Sequence, residues 1–364
     1  LRAKFSWLLH GGSLLENRLA LVRATHLNVY ISVLRDVGAP VDRELARSKL
    51  PGNIEATPDL YVSIPVALEW IARTGHDLRP MELGLLGARE ACLSSLSPVQ
   101  QTKIITAQTG LERLEALTLV SRFEDSALEM HLQREADYVR VICDMTGLAR
   151  HPFVCLAEWL NLQAVISVVR SVAGPSWQPR EICFVSATAV PEAVREAFPD
   201  TRILMDQAHT SIVVGRAVLA SRTPNVIAPD QAASAPSAAR DDWHGAGEAW
   251  DFISLLRMMV QPYIDGAIPD VAFVAEMAGI STRTLQRRLK LCGSSYSQIL
   301  QESRFSFARQ RLDDPDLKVI DVAMMAGYES PQHFTRAFRK FTGFTPSEYR
   351  NDRVKRGQSQ RNSA

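Results

Sequence analysis

The spacing of apolar and polar positions divides the chain into stretches of different period. Val29, Ile31, Val33 and Leu34 cluster in a segment that Gly38 and Pro40 close, which predicts a helix over 26–37. A second is expected over 63–73, with Ser63 as cap and Gly75 as stop. A longer one is expected over 97–121, interrupted at Gly110, with Ile104, Ile105, Leu111, Leu114, Leu117 and Leu119 as its apolar set. The period then shortens. Residues 126–133 and 138–143 alternate apolar and polar around Arg134-Glu135-Ala136-Asp137, the pattern of a β-hairpin. The stretch 152–172 is apolar almost all round and long enough for a membrane span, but Glu158, Asn161, Gln163 and Arg170 lie within it. It is expected to be a buried central helix; a helix packed against a second protomer is the alternative. Strands over 182–185, 203–205 and 211–214 and a short helix over 191–198 follow. Residues 1–222 thus read as an α+β domain with a small sheet.

Between 223 and 247 the composition shifts to Ala, Ser and Pro, and residues 232–239 contain nothing bulky to bury, so this segment reads as a flexible linker. Beyond it, Trp250, Ile253, Leu255, Leu256, Met259 and Val260 form an amphipathic pattern expected to seal the core that follows. From Asp270 onward one arrangement occurs twice. Val274-Ala275-Glu276-Met277-Ala278-Gly279-Ile280-Ser281 leads into a helix from Thr282 to Lys290. Val322-Ala323-Met324-Met325-Ala326-Gly327-Tyr328 leads through Glu329-Ser330 into a helix from Pro331 to Phe341. Gly279 and Gly327 permit a sharp exit from one helix, and Ser281 and Ser330 suit the cap of the next. Each copy is a helix-turn-helix, whose second helix can enter a DNA major groove.

The polar faces carry the candidate chemistry. In the first copy Leu285, Leu289 and Cys292 share a packing face, while Arg283, Gln286, Arg287 and Lys290 lie on another. In the second, Phe334, Phe338 and Phe341 are expected inward, with Gln332, His333, Arg336, Arg339 and Lys340 on polar positions. One such hairpin alone would be equally consistent with a solvated helix pair. Two copies that set an arginine at the same offset from the capping serine, Arg287 after Ser281 and Arg336 after Ser330, favour a binding face. Arginine pairs bidentately with guanine, and glutamine similarly with adenine. Base contacts are expected from Arg283, Gln286 and Arg287 in the first head and from Gln332, His333 and Arg336 in the second. Lys290 and Lys340 extend the DNA-binding face.

These residues resemble the DNA-binding domain of the AraC/XylS family of bacterial transcription regulators. The resemblance runs from about Trp250 to Arg350. It is carried by Ile320-Asp321-Val322-Ala323, Ala326-Gly327-Tyr328, Phe334-Thr335-Arg336-Ala337-Phe338 and Gly343-Phe344-Thr345-Pro346-Ser347-Glu348-Tyr349-Arg350. Tyr296, Ile299, Leu300, Arg304, Phe305, Ala308 and Leu312 resemble the helix that joins the two heads in that family; His333 and Pro331 occupy positions that vary there. The resemblance implies an all-α domain over 248–350 with two helix-turn-helix motifs joined by a linker helix, holding two recognition helices in adjacent major-groove segments. It places Pro346 and Tyr349 in a closing helix. The first domain resembles, more loosely, the non-cupin, arabinose-binding-like effector domain of some members, most clearly over 198–220. No effector-binding residue is carried across; an apolar cavity between the hairpin and the 152–172 helix would be its place.

Charge and composition narrow the remaining classes. The chain has 364 residues, enough for two domains, and a net charge of +1. From residue 246 onward 17 basic side chains face 13 acidic ones, so the surplus lies with the helix-turn-helix heads and the basic tail at 351–364. That tail reads as a phosphate-contacting extension or as a solubilising end. The five cysteines, Cys92, Cys143, Cys155, Cys183 and Cys292, show no metal-ligand spacing and suit buried packing in a reducing cytoplasm. Asp313-Asp314-Pro315-Asp316 reads as a turn and cap rather than a metal cluster. GxSxG, HExxH, GxxxxGK and GxGxxG motifs are absent, and the eight histidines are dispersed, so neither enzyme, metal site nor cofactor is expected. Arg2 and Lys4 precede only a few apolar residues, so no export signal is expected, and a chain beginning at Leu1 points to a trimmed or differently started form. The expected partners are double-stranded DNA, a small-molecule effector and RNA polymerase, with a homodimer as an option and no membrane. Competing classes are a nonspecific architectural DNA binder and an enzyme domain fused to a DNA-binding head.

Overall fold

In the computed structural model, which describes residues 19–91, 93–222, 250–266 and 268–352, the chain divides into one unit ending at Trp250 and another beginning at Asp251. The expected linker at 223–247, the basic tail beyond Asp352, the start of the chain and Cys92 lie outside the described residues.

The first unit opens with β1 (Leu21–Arg23), which runs directly into α1 (Ala24–Asp36); α2 (Val41–Ala46) follows. Strand β2 (Tyr61–Ser63) pairs antiparallel with β1, Leu21 opposite Ser63, and runs into α3 (Ile64–Thr74), which ends at Gly75 as expected. Both strands are only three residues long, too short for an alternating pattern to stand out.

Helix α4 (Pro80–Glu90) has no counterpart in the sequence reading, because Gly84 and Gly87 interrupt its pattern and lower its helix propensity. Tertiary contact explains both glycines. A Cβ at Gly84 would lie 2.4 Å from the Trp159 ring, and one at Gly87 would lie 2.4 Å from the Tyr30 ring, so two large aromatics rest directly on the α4 backbone.

The long helix expected over 97–121 is two helices, α5 (Pro98–Ile105) and α6 (Gly110–Glu124). The break is chemical: Thr109 Oγ1 accepts the Glu112 N–H at 3.2 Å and Glu112 accepts the Thr109 N–H at 3.0 Å, a reciprocal box that starts a new helix one residue before Gly110. The buried Arg113 guanidinium donates to the carbonyls of Ile105 and Ala107 and to Ser171, satisfying carbonyls that the end of α5 leaves open. Leu119, expected in the apolar set, is exposed.

A hairpin of β3 (Leu128–Arg134) and β4 (Tyr138–Met145) follows, with Leu128 opposite Met145. Then come α7 (Val154–Ala173), β5 (Glu181–Cys183), α8 (Glu192–Ala197), β6 (Arg202–Leu204), β7 (Thr210–Gly215) and α9 (Arg216–Ala220). The sheet order is β3-β4-β7-β5-β6, antiparallel except for the parallel β5–β6 pair. The apolar helix α7 is the core of this unit: Trp159, Leu162, Val165, Ile166, Val168 and Val169 are fully buried. It packs between α4 and α6 on one side and β4 and β7 on the other, which accounts for apolar residues all round it without a membrane or a second protomer. No helix among the described residues is long and apolar enough to cross a membrane. Trp159 lies 5.0 Å from the Phe184 ring and stacks on Phe198 at 5.8 Å.

Within that apolar helix Glu158 is fully buried. Its carboxylate accepts the Val185 N–H at 2.6 Å, the Ser186 hydroxyl at 2.6 Å and the Thr210 hydroxyl, tying α7 to β7 and to the segment after β5. Cys143, Cys155 and Cys183 are buried, and burial pushes the Cys143 and Cys155 thiols up to about 12, which makes them inert packing groups.

The second unit is all-helical: α10 (Phe252–Val260), α11 (Val271–Met277), α12 (Thr282–Leu291), α13 (Tyr296–Leu312), α14 (Val319–Met325), α15 (Pro331–Thr342) and a closing helix, 346–352. Helix α10 is capped by Asp251, so Trp250, expected within it, precedes it.

Glu158→Gln keeps the volume but puts an amide NH2 in place of one acceptor oxygen, facing either the Ser186 hydroxyl or the Val185 N–H and Thr210 hydroxyl. Unfolding in urea should show a loss of about 1–3 kcal/mol relative to the parent chain at pH 7.

Candidate functional site

The turns of the two helix-turn-helix motifs are built alike, bond for bond. After α11, Gly279 at φ +64° donates its N–H to Glu276 O at 2.9 Å, and Ile280 N–H reaches Ala275 O at 3.0 Å. After α14, Gly327 at φ +75° donates to Met324 O at 2.9 Å, and Tyr328 N–H reaches Ala323 O at 3.0 Å. A positive φ costs an ordinary residue in strain, so glycine is required at both turns. Ser281 Oγ then accepts the Thr284 N–H at 3.2 Å and Ser330 Oγ the His333 N–H at 3.3 Å, starting α12 and α15.

Each second helix divides into two faces. In α12, Leu285 and Leu289 are buried, while Arg283, Gln286, Arg287 and Lys290 are exposed. Arg288 stays half-buried with its guanidinium over the Phe252 ring, 5.6 Å from its centre, and burial lowers its pKa. In α15, Phe334 and Phe338 are buried, and Gln332, His333, Arg336, Arg339 and Lys340 are exposed. All eight residues expected on the DNA-binding face are therefore surface side chains of the two second helices. Two expectations about the inner faces fail: Cys292 is exposed, because the helix ends at Leu291 and turns away at Gly293, and Phe341 is 43% exposed although it stacks on Phe305.

Helix α13 supports both motifs. Tyr296 donates its hydroxyl to Pro269 O beside the first, and Phe305 lies 5.2 Å from Phe338 and 5.4 Å from Phe341 in the second. Arg304 sits over Tyr328 at 5.7 Å, and Arg257 of α10 pairs with Glu302 at 2.6 Å. The Asp313–Asp316 segment is a turn, with Asp314 accepting the Asp316 N–H at 2.9 Å. In the closing helix Pro346 is buried and Tyr349 meets Phe338 edge-on at 5.5 Å.

The first unit contains a cavity of about 80 Å³ between β3 of the hairpin and α7, the place where an effector pocket was expected. Leu27, Tyr30, Leu68, Leu117, Met130 and Leu160 are among its apolar lining. Its polar residues, His26, Ser121, Glu124, Asp125 and Asn161, come from α1, α6 and α7 and the start of the hairpin. Glu124 takes Arg23 at 3.0 Å on one oxygen and His26 Nε2 at 3.0 Å on the other. Burial works to raise its pKa, but the hydrogen bond and charge of His26 and the guanidinium of Arg23 outweigh it, so the carboxyl is held below its ordinary value. Nothing in the local sequence marked these residues; a lone glutamate at the end of a helix carries no periodic signal.

Two family models match the chain: the arabinose-binding domain of AraC transcription regulator over residues 38–223, and a helix-turn-helix domain over 274–352. The chain belongs to the AraC family of transcription regulators. It is 25% identical to the HTH-type transcriptional regulator VirS of Mycobacterium tuberculosis over 338 residues, 91% of this chain and 96% of that one. Over 85 residues it is 38% identical to the ornithine utilization regulator of Pseudomonas aeruginosa, 23% of this chain and 25% of that one. The transcriptional activator NphR of a Rhodococcus species is 32% identical over 107 residues, 29% of this chain and 32% of that one. The chain thus spans VirS nearly whole but only a quarter to a third of the other two. As an AraC-family protein it is a DNA-binding transcription regulator and not an enzyme.

Two outcomes follow. Leu285→Ala and Phe338→Ala remove buried volume beneath the exposed ridges and should each cost about 2–5 kcal/mol of unit-two stability, seen as lost helical circular dichroism on heating. The depressed Glu124 pKa adds stability that is fully present above pH 4.5, its unfolded value, and is lost as pH falls toward the lower folded value. Glu124→Gln should therefore flatten the acid limb of a stability–pH profile while lowering stability at pH 7.

Proposed function

We propose that this AraC-family chain is a ligand-responsive activator that reads two successive major-groove segments of one duplex, one with α12 and the other with α15. The observation that carries this reading is the repetition of geometry: two identically bonded turns, each followed six residues after the capping serine by an exposed arginine, Arg287 and Arg336. Packing requires no arginine at either place, and a guanidinium there has the two parallel donors that guanine O6 and N7 accept. Arg283 and Gln286 on α12, and Gln332 and His333 on α15, flank them as further base contacts; Lys290 and Lys340 suit phosphates.

Ligand response is supported by the cavity in the matched arabinose-binding domain, and activation by the name of the partial relative NphR. RNA polymerase is then the downstream partner and the cytoplasm the place of action. A homodimer is not needed for two-headed reading, though it would raise affinity at paired sites.

The cognate duplex is first selected from random sequence with the full chain. Arg287→Ala and Arg336→Ala should each cost about 1–3 kcal/mol on that duplex by fluorescence anisotropy and relax preference at a separate base position. Equal losses on cognate and random duplex would reduce both to phosphate contacts and overturn the two-headed reading.

A further inference from the structure

The hydrogen-bonding inventory of the cavity wall leans toward acceptors. The carboxylate of Glu124 can only accept, so His26 Nε2 is the donor between them. Each Glu124 oxygen retains a lone pair beyond the bonds to Arg23 and His26. Ser121 spends its hydroxyl hydrogen on Thr118 O at 3.2 Å, and Asn161 directs its amide N–H to Met145 Sδ at 3.3 Å. Ser121 can still offer its oxygen, and Asn161 its carbonyl oxygen and one amide N–H. The charge leans the same way: Glu124 and Asp125 both line the cavity, while the Arg23 guanidinium is engaged by Glu124 and Asp59. The rest of the lining is hydrocarbon and aromatic.

We propose that this cavity binds a small apolar molecule with a single hydrogen-bond-donating head, an amine in preference to an alcohol and with carboxylates rejected. The inference rests on the reading of the first unit as a small-molecule sensor and names the class of ligand. A wall with few donors leaves a carboxylate head little beyond one Asn161 N–H and places like charges together, whereas an ammonium meets Glu124 and the oxygens of Ser121 and Asn161. Size sets the body. The space is about 80 Å³, roughly half of the ~150 Å³ apolar cavity that admits benzene, so a chain of about two or three carbons is appropriate.

The test is isothermal titration calorimetry of the full chain at pH 7 with propylamine, propan-1-ol and propanoate. Propylamine should bind, propan-1-ol more weakly, and propanoate at least about tenfold more weakly than the amine. Ala164→Leu and, separately, Ala67→Leu grow side chains into the space and should abolish amine binding. Ser121→Ala removes an acceptor and should narrow the ratio of amine to propanoate affinity. Equal affinities, tighter propanoate, no amine binding, or binding undiminished in a folded filled variant would each overturn the proposal. If a filled variant fails to fold, the three-ligand ratio and Ser121→Ala still decide. Specific duplex binding measured without any amine is scored separately: its loss refutes the DNA reading alone, and its persistence beside absent amine binding refutes the ligand class alone.

Discussion

Helix α13 packs against α10 and the second helix-turn-helix motif and is tied by the Tyr296 hydroxyl to Pro269 O beside the first, and the second unit depends on that shared support. Ile299, Ser303, Ser306, Ala308 and Leu312 lie on its inner side with almost no exposure. Small residues at 303, 306 and 308 let neighbouring helices approach closely, and the aromatic cluster of Phe305, Phe338 and Phe341 joins it to α15. A helix of 17 residues is a stiff rod of about 26 Å. Two motifs fastened to one rod cannot choose their separation freely, so a single chain presents both polar ridges as a fixed pair. That constraint underlies the proposed reading, in which an exposed arginine on each motif is a base contact.

The first unit relies on a different device. Its central helix is so uniformly apolar that sliding or rotation would exchange one hydrocarbon contact for another at little cost. Glu158 removes that freedom, because a buried carboxylate must keep its three donors and they come from two separate segments of the sheet side. Register is thereby specified by a polar group inside an apolar layer. The price of holding a second polar cluster, Arg23–Glu124–His26, beside a cavity is offset by mutual pairing, with each Glu124 oxygen bonded to one of the two donors.

Much of the fold is legible in sequence where periodicity is long or turn chemistry is explicit. Helices α1, α3 and α7, the β3–β4 hairpin and the strands β5 to β7 all lie where the pattern puts them. Failures occur where distant contacts override local preference. Helix α4 was hidden because Gly84 and Gly87 are there for Trp159 and Tyr30, residues far away in the chain. The interruption expected at Gly110 is a full break, made locally by the Thr109–Glu112 capping box. Cys292 and Phe341 sit at helix ends, where a periodic extrapolation carries the inner face one turn too far.

What the amino-acid order determined by itself was the duplicated helix-turn-helix, since a glycine, a capping serine and an arginine at repeated offsets are local signals that hydrogen bonding within a few residues enforces. The exposed donor ridges followed from the same local rule, because an amphipathic helix leaves its polar side out. Tertiary structure alone decided the cavity and its acceptor wall. His26, Ser121, Glu124 and Asn161 are brought together only when α1, α6 and α7 pack, and the donor-or-acceptor state each presents is set by a partner that the fold supplies.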